Sequence, residues 1–240
     1  MSSFNTILIR AGLLLGITTA GATLGNAAEH SEGEQLAADR CAACHSLEVP
    51  VQATLTMQGK IDGTGPPLHF SGQKYQQLWL TNWLQSPSRI TPTGGDFWSN
   101  AVVVTEDGDE VDEALLKNHI ALEAAQADAV SDYLMTLKPS PQLTPDFGYT
   151  PAKVNMMLAK KDFRKFKGCS GCHRDTPDFG GVSGPELYTA MNRLQPDYIA
   201  SYIANPRAWD PHTLMPAKSL NDTAIIKLMN YLNQIEEQTQ

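Results

Sequence analysis

Two copies of one short motif constrain this chain more than anything else in it: Cys41-Ala42-Ala43-Cys44-His45 and Cys169-Ser170-Gly171-Cys172-His173. Together they hold all four cysteines of the 240 residues. Two thiols three positions apart can add to the two vinyl groups of one porphyrin, and the next side chain then lies under the iron as its proximal imidazole. A thioredoxin-like redox pair does not require a histidine in the next position, still less twice. A zinc site would use both pairs together, yet much of the chain lies between them. The motifs therefore predict two covalently bound haem c groups. Cys41, Cys44, Cys169 and Cys172 are the attachment points, and His45 and His173 are axial ligands.

Residues 1–28 read as a secretory leader. Arg10 is their only charge, Leu13-Leu14-Leu15-Gly16-Ile17 is the apolar heart, and the small residues Gly25-Asn26-Ala27-Ala28 suit cleavage. Periplasmic export is the expectation. An uncleaved leader would be the one route to membrane contact. The rest of the chain has no long uncharged run, which excludes a polytopic membrane protein. Hydrophobic residues make up 42% and charged residues 18%, as in globular proteins. A net charge of -8 argues against wholesale nucleic-acid binding.

The chain is a diverged tandem repeat. After the first Cys-x-x-Cys-His come Gly65-Pro66, then Trp79-Leu80-Thr81-Asn82-Trp83-Leu84-Gln85-Ser86-Pro87, then Tyr133-Leu134. After the second come Gly184-Pro185, then Tyr198-Ile199-Ala200-Ser201-Tyr202-Ile203-Ala204-Asn205-Pro206, then Tyr231-Leu232. Each half ends in an amphipathic pattern that predicts a helix, over 124–137 and 222–235. A further helix is expected over 151–167, with Met156, Ala159, Phe163 and Phe166 as its core stripe. Between the halves, Pro139, Pro141 and Pro145 forbid a continuous helix and favour an extended linker over 139–150.

On the two haem motifs, Gly65-Pro66-Pro67-Leu68, Gly184-Pro185-Glu186-Leu187 and Met215-Pro216, the chain resembles exported dihaem cytochromes c built from two class I domains. The resemblance implies a mostly α fold of two tandem class I cytochrome c domains. They would span residues 29–138, with an acidic insertion, and 151–240. It also implies that the carbonyls of Pro66 and Pro185 accept hydrogen bonds from Nδ1 of His45 and His173. Such a bond orients a proximal imidazole and raises its basicity.

For the second haem, the resemblance makes Met215 the sixth ligand, with His212 its rival. Met191 and Met229 fall within helical patterns and read as core. The first half has no methionine between Pro87 and Tyr133. Met57 precedes Gly65-Pro66, and Met135 lies in the terminal helix. His119 precedes Tyr133 at nearly the distance at which Met215 precedes Tyr231, which makes it the expected sixth ligand. His69 and an open sixth position remain as alternatives.

Charge divides unevenly. Residues 29–138 hold 6 basic and 16 acidic residues, whereas residues 139–240 hold 11 and 10. Glu106, Asp107, Asp109, Glu110, Asp112 and Glu113 cluster in the insertion, while Lys160, Lys161, Arg164, Lys165 and Lys167 precede the second haem motif. The two ends could steer different redox partners. The expected function is electron transfer between redox proteins, as a shuttle or as a subunit of a larger oxidoreductase complex. The alternative is a dihaem enzyme, such as a cytochrome c peroxidase, with an open haem. A thiosulfate dehydrogenase of the dihaem type would need a cysteine ligand, and haem attachment uses all four cysteines.

Overall fold

The computed structural model describes residues 23–51, 55–63, 65–95, 101–106 and 108–237. Residues 1–22 of the expected leader, and Asp107 of the acidic insertion, lie outside them. About half of the described chain is helical, and its few strands form two short antiparallel hairpins.

In the first half, α1 (Thr23–Arg40) leads to the first motif, followed by α2 (Met57–Asp62), α3 (Ser71–Lys74), α4 (Gln77–Gln85) and α5 (Ala124–Thr136). The apolar periodicity locates α5 to within a residue. Its start is fixed by a capping box, in which Glu123 and Gln126 each satisfy the other's backbone N–H. Helices α1 and α5 cross at Gly33, where a Cβ would stand 2.0 Å from the Ala129 carbonyl oxygen. Only glycine lets the two backbones meet there. Beside the crossing, Ala37, Ala127, Val130 and Leu134 are buried. Each larger aliphatic among them contributes about 1.5–3 kcal/mol. The acidic insertion contains a hairpin, β1 (Val102–Thr105) paired antiparallel with β2 (Gly108–Val111).

The second half repeats this order with α6 (Met156–Lys161), the hairpin β3 (Arg174–Thr176) with β4 (Phe179–Gly180), α7 (Ala190–Arg193), α8 (Pro196–Ala204), α9 (Pro206–Trp209) and α10 (Asp222–Glu237). The helix expected over 151–167 starts at Met156, because the Asn155 side chain accepts from the Leu158 N–H at 3.2 Å and caps it. Its last turn, Asp162–Phe166, is π-helical, closed by Lys167 N–H donating to the Asp162 carbonyl at 2.8 Å. The widened turn rotates the stripe out of register. Phe163 is buried as expected, but Phe166 is 77% exposed, which corrects its assignment to the core.

The halves meet across a quasi-two-fold joint. Tyr75 and Leu194, equivalent positions of the repeat, form an antiparallel bridge. Gln76 N–H donates to the Arg193 carbonyl at 3.0 Å, and Gln195 N–H donates to the Lys74 carbonyl at 2.9 Å. Tyr75 thus faces its own counterpart, and the two flanking bonds are related by the same quasi-two-fold. Phe70, Tyr75, Tyr198 and Trp209 are buried around the bridge, and the Lys74 ammonium lies over the rings of Phe70, Tyr75 and Tyr198 at 4.8–5.8 Å. The linker is fastened to both halves. The Gln73 amide exchanges hydrogen bonds with the Ser140 backbone, and Asp197 accepts from the Phe147 N–H at 3.0 Å.

Candidate functional site

Each Cys-x-x-Cys-His motif is a tight turn at the end of a helix. Cys44 N–H and His45 N–H both donate to the Cys41 carbonyl, at 3.0 and 2.9 Å. Cys172 and His173 do the same to Cys169, at 3.2 and 3.1 Å. The turn places the first thiol inward and the second outward: Cys41 is buried and Cys169 half-buried, while Cys44 and Cys172 are exposed. Burial pushes the Cys41 and Cys169 thiols up. No disulfide joins the four cysteines, all of which are described. Among the described residues, no group of three or more His, Cys, Asp or Glu side chains is placed to hold a bare metal ion.

The imidazole that follows each turn is held by the Gly-Pro segment. His45 Nδ1 lies 2.7 Å from the Pro66 carbonyl oxygen, and His173 Nδ1 lies 2.7 Å from that of Pro185. These are the contacts the resemblance implied. A carbonyl can only accept, so Nδ1 carries the proton, and in the neutral ring Nε2 presents its lone pair. Burial pulls both histidines toward that neutral form, although the carbonyl bonds oppose it. Nearby cations add to the pull, Lys74 on His45 and Arg193 on His173.

The glycine has a steric role. A Cβ at Gly65 would stand 2.4 Å from His45 Cε1 and 2.7 Å from Nδ1, and one at Gly184 would stand 2.7 Å from the same atoms of His173. Beyond each Gly-Pro, a leucine N–H closes the loop. Leu68 donates to the Ser46 carbonyl at 2.9 Å, and Leu187 to that of Arg174 at 2.8 Å.

The first half brings two imidazoles together. The ring centres of His45 and His119 are 6.0 Å apart, with planes at 48°. His119 Nδ1 lies 2.7 Å from the Ile120 carbonyl oxygen, so this Nε2 too is the unprotonated nitrogen of the neutral ring. Trp83 of α4 packs against His119 at 4.6 Å and is itself fixed by its indole N–H donating to the Ser88 carbonyl at 2.9 Å. Leu122 N–H donates to the Leu84 carbonyl at 2.9 Å, which ties the His119 segment to the end of α4.

Neither a family model, nor a curated protein, nor a solved structure matches this chain.

In the second half, Met215 is half-buried in the loop between α9 and α10. Its N–H donates to Thr213 Oγ1 at 3.3 Å, and that hydroxyl also meets the Tyr202 hydroxyl at 3.0 Å. Tyr202 is the repeat counterpart of Trp83, so one position of the repeat supports the candidate sixth-ligand segment in each half. The rival His212 has Nε2 at 3.1 Å from the Leu55 carbonyl oxygen, a bond that requires Nε2 to carry the proton. His69 lies edge-on to Phe70 at 4.8 Å with Nδ1 buried.

One cluster is absent from the sequence reading. Asp175, two residues after His173, is wholly buried. Arg164 grips it with two bonds, Nε to Oδ2 and Nη2 to Oδ1, each 2.7 Å, and the Tyr231 hydroxyl donates to the same carboxylate. The guanidinium lies 3.6 Å over the Phe179 ring. Arg164 therefore does not belong to the solvated basic face, and Lys167, paired with Asp162 at 2.7 Å, is partly withdrawn from it. Lys160, Lys161 and Lys165 remain exposed. No sequence signal marks Asp175, because a lone aspartate beyond a motif reads as surface.

Proposed function

We propose that this chain is an exported dihaem cytochrome c, built from two class I domains, that passes electrons between redox proteins. Cys41 and Cys44 would hold one haem with His45 and His119 as axial ligands. Cys169 and Cys172 would hold the other with His173 and Met215. When bound, each haem supplies a one-electron iron couple, with a sixth thioether ligand favouring the reduced state more than a sixth imidazole does.

The observation that carries the reading is the pair of carbonyl-clamped imidazoles, each beside a Cys-x-x-Cys turn, with a second imidazole facing the first. Two imidazoles on opposite sides of one metal, at metal–nitrogen distances of about 2 Å, stand with ring centres on the order of 6 Å apart. The His45–His119 spacing fits that value. A second fit comes from Arg193. It is buried, bonds through Nη2 to the Glu186 carbonyl at 2.7 Å, lies 3.6 Å from the Glu186 carboxylate, and still keeps Nε without an acceptor among the described residues. A carboxylate such as a haem propionate would suit it.

The chain's own residues would do four things. The Pro66 and Pro185 carbonyls orient the proximal rings and raise their basicity. Trp83 and the Ile120 carbonyl hold His119, whose bonded Nδ1 leaves Nε2 as the free ring nitrogen, 6.0 Å ring to ring from His45. Leu68 and Leu84 in one half, and Ile199, Leu228 and Leu232 in the other, are buried and would supply apolar surroundings that restrict water. Exposed Lys160, Lys161 and Lys165, beside exposed Met157, Leu158 and Phe166, present a face suited to an acidic redox protein.

A histidine opposite His45 favours a capped iron, and with it electron transfer over peroxidase chemistry. Among the described residues no helix is long and apolar enough to cross a membrane. Denaturing mass analysis of the exported protein tests the assignment. Two haem additions, resistant to acid extraction, together with loss of the leader are expected. A single addition, or extractable haem, would reject it.

A further inference from the structure

The loop that carries Met215 is fastened to the opposite half of the molecule. Asp210 stands between the two. One of its carboxylate oxygens pairs with the ammonium of Lys60, which lies on α2 of the first half, and the other accepts from the His212 N–H at 2.9 Å. Lys60 and Asp210 side chains are 15% and 26% exposed, so water only partly screens the pair. Beside it, His212 Nε2 bonds the Leu55 carbonyl at 3.1 Å, just ahead of α2.

From Asp210 the contacts continue inward along the loop. Thr213 N–H donates to the Asp210 carbonyl at 3.0 Å, and Thr213 Oγ1 accepts from the Met215 N–H. On the other side, α2 is anchored by Thr56, whose hydroxyl accepts from the Gly59 N–H at 3.0 Å. Within the second half the Tyr202 hydroxyl also meets Thr213 Oγ1, at 3.0 Å, but Leu214, Pro216, Ala217, Lys218 and Ser219 are all exposed, and Ser219 takes a positive φ of 50°.

We infer that Lys60 and the Leu55 carbonyl form a latch through which the first half positions the Met215 loop of the second. Lys60 is a positioning residue here, since it acts on the sixth ligand through Asp210, His212 and Thr213. The ligation of the second haem would then depend on residues of the first half, and a separated second half would hold its thioether ligand less firmly. This rests on the reading of Met215 as an iron ligand.

The test uses the full-length holoprotein, with the methionine-to-iron charge-transfer band as the signal and added imidazole as the competitor. Lys60→Met keeps the aliphatic stem and removes the charge. It should lower the imidazole concentration that abolishes the band about five-fold, the factor that corresponds to about 1 kcal/mol. Lys60→Arg should restore most of the resistance. Hydrogen exchange of the 210–215 amides should quicken in Lys60→Met while that of α5 does not. An unchanged imidazole titration in Lys60→Met overturns the latch and leaves Met215 ligation standing. Absence of the band in the wild-type protein overturns both.

Discussion

Asp175→Asn is the perturbation with the largest predicted cost. The carboxylate has no exposed surface and receives three donors: two from Arg164 and one from the Tyr231 hydroxyl. An amide of the same shape offers one oxygen and one NH2, so at least one donor would then face another donor. The substitution also leaves the Arg164 cation uncompensated. The Arg164 side chain keeps 16% of its surface exposed and its guanidinium lies against Phe179, so part of the charge can rehydrate. Removing one member of a buried pair costs about 3–5 kcal/mol. The residual exposure places this case near the lower end, about 3 kcal/mol. Denaturant unfolding of the holoprotein should show a lower midpoint at unchanged slope, because the surface exposed on unfolding is the same. Arg164→Met combined with Asp175→Asn should cost less than the two changes summed, since the pair is lost once. A cost below about 1 kcal/mol for Asp175→Asn, the range of a surface pair, would refute the reasoning.

Further outcomes follow from the same geometry. Gly184→Ala should displace His173, since its Cβ would fall 2.7 Å from two ring atoms; mass analysis should show loss of the second haem or destabilisation by about 1–3 kcal/mol. The Tyr231 hydroxyl is pushed well above its ordinary value, first by burial and then by its bond to Asp175. The folded state therefore keeps this proton above the unfolded value of about 10, where the unfolded chain loses it, and stability should fall with rising pH there. Tyr231→Phe should flatten that fall in unfolding curves taken between neutral and strongly alkaline pH. Neutralising Lys160, Lys161 and Lys165 should slow electron transfer with an acidic protein at low salt and leave stability nearly unchanged. Rates that match the wild type at every ionic strength would mark these lysines as solvated surface.

The repeat was readable because both halves bury aromatic and aliphatic residues at the same steps after each Gly-Pro. Helices α5 and α10 follow directly from that periodicity. The carbonyl clamps on His45 and His173 were expected only from the resemblance to dihaem cytochromes c that the Gly-Pro motifs carry, and both hydrogen bonds are present. Phe166 was misread because a π-helical turn adds a residue per turn without a marker in the sequence. Arg164 was misread because a cation among lysines looks solvated until its partner is seen, and Asp175 becomes that partner only through the β3–β4 hairpin. The Lys60–Asp210 contact is equally hidden. It joins residues far apart in the chain through a joint whose backbone pairing at Tyr75 and Leu194 leaves no composition signal.

The central claim is that two unlike haems sit in one chain, both with six ligands and neither open to substrate. Its most direct test is a spectroscopic redox titration of the wild-type holoprotein with and without carbon monoxide. The account predicts two six-coordinate centres: a lower-potential one with two imidazoles in the first half, and a higher-potential one with the methionine charge-transfer band in the second. Neither should bind carbon monoxide, while His119→Ala should open the first alone and leave the Met215 signals intact. Carbon monoxide bound at the first haem of the wild-type protein would contradict the account and move a dihaem enzyme ahead of the electron carrier.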